Sequence, residues 1–298
     1  MSKITIYSEA CNKVDGFRSM GEKFIRKLVI NGRSKSTHQN YLRQMSKLSL
    51  YYKRTPLEID IDELEEYLYY LIQKDTDALS SYKHLVYGLR KLYHLFSKEE
   101  LLLGLPKINR SKKLPVVMSK PEVKQLLKAP IHIREKVMFA LIYDTGLRIS
   151  EVRNLLIKDV DLDRKQVHIR LSKNNKDRYV TMSSHAARGI KMHLALNSPK
   201  DYLFDSYKRK GIPISKTRIR ALLKETLLKT DIKKDICVHT LRHTYATHQL
   251  EAGQNIMVLK DSLGHTSINS TLMYLHIAQI DTIKKFGCME SLYRKGDE

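Results

Sequence analysis

From Leu79 to Phe96 the apolar residues are Leu79, Tyr82, Leu85, Val86, Leu89, Leu92, Tyr93 and Phe96. Their spacing draws one stripe along a helix. Ser80 and Ser81 lie near its start, where a hydroxyl can cap the backbone or meet an anion. A second helix is predicted to begin near Ser36 or Thr37 and to turn Tyr41, Leu42, Met45 and Leu48 inward. A third covers Asp60 to Gln73, with Asp62 and Glu63 favourable in its first turn. A fourth runs from Phe17 to Val29 and stops before Asn31-Gly32. Residues 1–103 therefore read as a four-helix domain.

The pattern breaks over 104–118, where Pro106, Pro115 and the cations Arg110, Lys112 and Lys113 suggest an extended basic linker. Residues 119–298 form a second, mixed domain. Helices are expected at Lys120–Leu127, Ile133–Tyr143, Ser184–Leu196, Lys216–Leu228, Thr240–Ala252, Asn255–Leu263 and Ser267–Tyr274. Two short strands, Val167–Leu171 and Tyr179–Met182, flank the polar turn from Ser172 to Asp177. The expected fold is mainly α, with a small antiparallel sheet in the second part.

Charge changes the picture from architecture to partner. The 298 residues carry 54 Lys and Arg against 32 Asp and Glu, a net charge of +22 spread along the chain. Such a surface repels itself unless it meets a polyanion, and nucleic acid is the commonest one. A basic enzyme of another kind and a ribosome-associated protein remain the plainer alternatives. Cys11, Cys237 and Cys288 are far apart, make no metal spacing or disulfide framework, and fit a reducing cytoplasm. The first twelve residues lack a signal-peptide core, and the run Val137–Tyr143 is too short to span a bilayer. Neither a membrane partner nor a Walker-type nucleotide loop is expected.

Four local patterns carry chemistry. Thr145-Gly146-Leu147-Arg148-Ile149-Ser150-Glu151 sets a glycine turn and an arginine before a helix that Ser150 is placed to cap. Lys173 sits at the predicted hairpin tip. In His239-Thr240-Leu241-Arg242-His243, His239 and Arg242 share a helix face. Leu263-Gly264-His265 is followed nine residues after the His by Tyr274. His239, His243 and His248 could also be imagined as metal ligands, the first two being four apart, but no hydrolase Glu lies between them, no cysteine pair stands by, and Arg242 would repel a cation. No metal and no cofactor are expected.

This set, in this order, resembles the tyrosine recombinase (phage integrase) family, and most closely its Xer-type and mobile-element members. The resemblance covers almost the whole chain, because the N-terminal helices resemble that family's SAM-like core-binding domain. It implies Arg148, Lys173, His239, Arg242, His265 and Tyr274 as the catalytic set. Lys173 would be the general acid, and Tyr274 the nucleophile that forms a 3′-phosphotyrosyl link. Asn174 stands where the family often has Gly after the lysine, and it still suits a tight turn.

The residue types suit the chemistry. Phosphoryl transfer needs a nucleophilic oxygen, charge neutralisation on the non-bridging oxygens and a proton for the leaving group. A phenol is only ~0.1% ionised at pH 7, a deficit of roughly 4 kcal/mol. Two guanidiniums and an imidazole offset it by field and by accepting the proton. Glu151 either orients Arg148 or complements the helix dipole. His243 is read as structural and stays outside the catalytic set.

Thr37, Gln39, Asn40, Arg43, Ser81, Lys83 and Arg90 are candidate DNA contacts in the first domain, and Lys216, Thr217, Arg218 and Arg220 in the second. Solvated charge is the plain alternative for each. The basic linker either lies along a duplex backbone or is a solvated hinge. The resemblance further implies double-stranded DNA as partner, a tetramer on two sites and a Holliday junction, and it leaves room for accessory proteins. Ile277, Ile280, Ile283 and Phe286 give a C-terminal apolar face that docks on a neighbouring subunit or on its own chain. A topoisomerase-like or telomere-resolving relative, and a catalytically silent DNA-binding regulator, are the competing readings.

Overall fold

Leu85, Val86, Leu89, Leu92 and Tyr93, the middle of the stripe, are fully buried in the computed structural model. It describes residues 5–32, 35–74, 78–108, 114–170 and 177–278. The chain divides into two units, Met1–Ser111 and Lys112–Glu298.

In the first unit the four expected helices are α2 (Phe17–Ile30), α3 (Lys35–Tyr52), α4 (Ile61–Lys74) and α5 (Ala78–Leu95). Leu42, Met45 and Leu48 of α3 pack with the α5 stripe in one core. At the start of α4 the Asp60 carboxylate accepts from the Glu63 N–H, and Glu63 accepts from the Asp60 N–H. Two further helices are present. The first, α1 (Ile6–Lys13), is capped by the Thr5 hydroxyl and buries only Ala10 fully, so it left almost no stripe to read. The other, α6 (Glu99–Leu103), is a single short turn with no fully buried residue. Ser80 and Ser81 lie inside α5, and the Ser81 hydroxyl accepts from Gln44 of α3. Their expected role as a cap is therefore corrected.

The first residues of the expected linker are packed rather than extended: Leu105 is buried, and Arg90 donates to the Pro106 carbonyl. Arg110, Lys112 and Lys113 lie outside the described residues.

The second unit opens with α7 (Lys120–Lys128), capped reciprocally by Ser119 and Glu122. Next comes α8 (Ile133–Thr145), buried on nearly every side and closed by Gly146 at φ 64°. A short helix, α9 (Ile149–Asn154), follows directly. The sheet has three antiparallel strands, β1 (Val160–Asp161), β2 (Gln166–Ile169) and β3 (Arg178–Thr181). Val167 pairs with Val180 on the buried face, and His168 stacks on Tyr179 on the other. The strand β1 is two residues long and carries no alternation to read. Then come α10 (Ser184–Asn197), α11 (Lys216–Leu227), α12 (Val238–Glu251), α13 (Ile256–Leu263) and α14 (Asn269–Leu272). The last is one turn, shorter than the expected Ser267–Tyr274 helix, and hydrogen-bonded turns carry the chain on through Tyr274 to Ala278.

A main core gathers α7 to α12 and the sheet, and a smaller cluster joins Tyr245, Ala246 and Leu250 of α12 to Leu259, Leu263 and Tyr274. No helix among the described residues is long and apolar enough to cross a membrane.

Candidate active site

Two helix ends build the site. The αL residues Gly146 (φ 64°) and Gly264 (φ 62°) terminate α8 and α13. A helix C-terminus carries partial negative charge and carbonyls without intrahelical partners, so it receives cations well. The end of α13 holds three arginines. Arg178 donates from Nε to the Ser262 carbonyl at 2.9 Å, Arg242 from Nη2 to Leu263 at 2.7 Å, and Arg148 from Nη2 to Gly264 at 3.1 Å. Arg242 also donates from Nη1 to the Gly146 carbonyl at 2.6 Å, tying the ends of α8 and α13 together. A side chain at Gly146 would meet the Tyr245 ring at 2.4 Å, so the close approach as well as the positive φ requires glycine.

Arg242 is 1% exposed, and burial first, then Arg148, pushes its guanidinium down to about 10. Its Nε is buried without a partner among the described residues, leaving a donor unused. Arg148 occupies the cap position of α9, so Ser150 lies inside the helix and the expected Ser150 cap is corrected. The cap is supplied instead by Glu151, which accepts from the Arg148 N–H at 2.8 Å and from its Nη1 at 2.9 Å. The same carboxylate takes a bidentate pair from Arg178 at 3.0 and 2.9 Å. Burial alone would raise the Glu151 carboxyl, but hydrogen bonding and charge from Arg178, then Arg148, hold it below the ordinary range. Of the two roles expected for Glu151, the geometry favours orientation of Arg148.

His265 bridges between partners. Its Nε2 lies 3.0 Å from Arg242 Nη2 and its Nδ1 2.9 Å from Thr271 Oγ1. Arginine can only donate, so Nε2 accepts and the ring proton sits on Nδ1, donated to Thr271. Burial, then Arg242 and Arg148, drives His265 down to about 3. His239 is exposed and stands edge-on to the His243 ring; burial, then Arg242 and Arg148, keep it below its usual value. Tyr274 is 2% exposed, and its hydroxyl lies 3.0 Å from His243 Nδ1. Burial raises the phenol, while Arg242 and Arg148 pull it back.

Five of the six expected residues thus converge: Arg148, His239, Arg242, His265 and Tyr274. Lys173 lies outside the described residues. Two participants were missed. Arg178 had no local signal that set it apart from the other cations. His243 was visible beside Arg242 but read as structural, although it touches the Tyr274 hydroxyl. Among the described residues no His, Cys, Asp or Glu cluster could hold a metal ion.

The candidate DNA contacts are scattered over their units. Gln39, Asn40 and Arg43 are exposed on α3, while Thr37, Ser81, Lys83 and Arg90 are half-buried. Lys216, Thr217 and Arg220 are exposed on the first turns of α11; Arg218 pairs with Glu225 at 2.6 Å and overlies the Tyr207 ring. Arg90 and Arg218 thus have intramolecular work to do.

Half-buried, neutral histidines make stability depend on pH. Burial first, then neighbouring His and Arg side chains, push His243 down to about 4 and His265 down to about 3, from 6.5 for a free histidine. Between those values the unfolded chain binds more protons, so stability falls as pH drops from about 6.5 toward 4. The unfolding free energy from urea titration is expected to fall by roughly a few kcal/mol between pH 7.5 and 5, before the carboxylates titrate. A flat profile over that window would refute it.

Residues 116–280 match the model of the phage integrase family, and residues 20–102 match its N-terminal SAM-like domain. A tyrosine recombinase of Pseudothermotoga lettingae is 32% identical over 263 residues, covering 87% of this chain and 82% of that protein. One of Thermosipho africanus is 30% identical over 269 residues, covering 85% and 93%. In fold the chain resembles the crystal structure of XerH site-specific recombinase bound to a palindromic difH substrate, a post-cleavage complex, with TM-score 0.67 and 18% identity over 96% of this chain and 94% of that one.

Proposed function

From the premise that this chain belongs to the phage integrase family and is a tyrosine recombinase, we infer that it cleaves and rejoins double-stranded DNA through a covalent 3′-phosphotyrosyl bond to Tyr274. The observation that carries this is the Tyr274 hydroxyl lying in the field of two guanidiniums, Arg148 and Arg242, at one helix end.

Arg148 and Arg242 neutralise the negative charge on the non-bridging oxygens of the scissile phosphate. His239, exposed on α12, donates to the same phosphate. His265 accepts from Arg242 and holds it in place. Lys173 protonates the departing 5′ oxygen. The phosphotyrosyl bond conserves the energy of the broken one, so rejoining needs no nucleotide. Successive exchanges between two duplexes, through a Holliday junction on a tetramer, complete recombination. Exposed side chains of α3, Gln39, Asn40 and Arg43, and of α11, Lys216, Thr217 and Arg220, contact the duplex.

The test is a nicked suicide duplex carrying a site enriched by this protein from a randomised library. The wild-type chain is expected to accumulate a covalent adduct stable to denaturant, and Tyr274→Phe none while still binding the site. An adduct that persists in Tyr274→Phe, or no adduct with wild type, would sink the reading.

A further inference from the structure

A buried phenol needs somewhere to send its proton before it can attack. Tyr274 Oη has the guanidinium of Arg242 beside it, which can only donate. His265 has both ring nitrogens committed, to Arg242 and Thr271. The His239 ring stands edge-on to His243, with centroids 4.4 Å apart, and makes no hydrogen bond to the phenol. His243 Nδ1, at 3.0 Å, is the group in place to accept from the Tyr274 hydroxyl.

We infer that His243 is a catalytic residue, taking the Tyr274 proton during cleavage and returning it during rejoining. This rests on Tyr274 being the nucleophile. In cleavage the Oη–H bond breaks as Nδ1–H forms; Oη–P forms as P–O5′ breaks, and O5′ takes a proton from Lys173. In rejoining the 5′ hydroxyl attacks phosphorus and hands its proton back to Lys173. Oη leaves and recovers its own from His243, so no proton is consumed. In the free protein His243 is kept neutral by burial, His239 and Arg242, which depress it to about 4. It therefore enters the reaction with its lone pair available. The phosphodiester anion, arriving among His239, Arg242 and Tyr274, favours the imidazolium that the step creates.

His243→Asn separates proton transfer from positioning, because the amide oxygen can accept the hydrogen bond but not the proton. On the nicked duplex described above, the variant is expected to bind DNA like wild type yet form adduct about 100-fold more slowly. Its rate should climb steadily with pH where the wild type levels off. A duplex with a 5′-bridging sulfur, whose leaving group needs no acid, should repair Lys173→Ala and leave His243→Asn slow. Should the Asn variant fail to bind DNA, His243→Gln enters the same comparison. Wild-type rates in either variant, or a defect that sulfur repairs, would overturn the role of His243 while leaving Tyr274 as nucleophile. Absence of any Tyr274-dependent adduct with the wild-type chain would overturn both.

Discussion

Arg242→Lys is expected to slow covalent adduct formation by about a thousandfold or more, although it keeps the charge. Arg242 spans two helix ends: Nη1 on the Gly146 carbonyl, Nη2 on the Leu263 carbonyl and on His265, with Nε left over. An ammonium is a single point with three donors and cannot meet both ends while presenting a fork to a phosphate. Losing one oxyanion donor costs ~10²–10³ in rate, and losing an arginine that stabilises a phosphoryl transition state costs ~10³–10⁵. His265 would also lose the donor on its Nε2 and be freed to turn. Single-turnover kinetics on the suicide duplex measure the effect. A rate within tenfold of wild type would show that the guanidinium geometry is not used.

Glu151→Ala should be the most destabilising change at the site. The Glu151 side chain is 6% exposed and binds Arg148 and Arg178, whose side chains are 22% and 10% exposed. Removing it leaves two largely enclosed cations with no counter-charge at one helix end. Breaking a buried pair in this way costs about 3–5 kcal/mol. For a unit of this size that is a fall in Tm on the order of 10 °C. Were Glu151 merely complementing the helix dipole, the loss would be about 0.3–1 kcal/mol. Thermal unfolding of the full chain distinguishes the two, and an unchanged Tm would remove Glu151 from the supporting role. Surviving protein should also cleave slowly, because Arg148 loses both its cap and its brace.

Periodicity was sufficient wherever burial was one-sided and long. The α5 stripe and the inward face of α3 were legible because each buries residues at helical spacing against one core. It failed on α1, α6 and β1, which are too short or too lightly buried to imprint a pattern. It also overextended α14: only Asn269–Leu272 is helical, and Ser, Asn and Thr are weak helix formers, so turns carry the chain on to Tyr274, which packs with α12.

The order and identity of the reactive side chains were decided by sequence alone. An arginine after a glycine turn, His239 and Arg242 on one helix face, and a tyrosine nine residues beyond His265 are local arrangements, readable without packing. What the tertiary structure decided is who touches whom. Arg178 reaches Glu151 across 27 positions, His243 reaches Tyr274 across 31, and Arg148 reaches Gly264 across 116. Such contacts depend on how α8, α12 and α13 pack. No local propensity encodes the free carbonyls of one helix end as a shared seat for three guanidiniums.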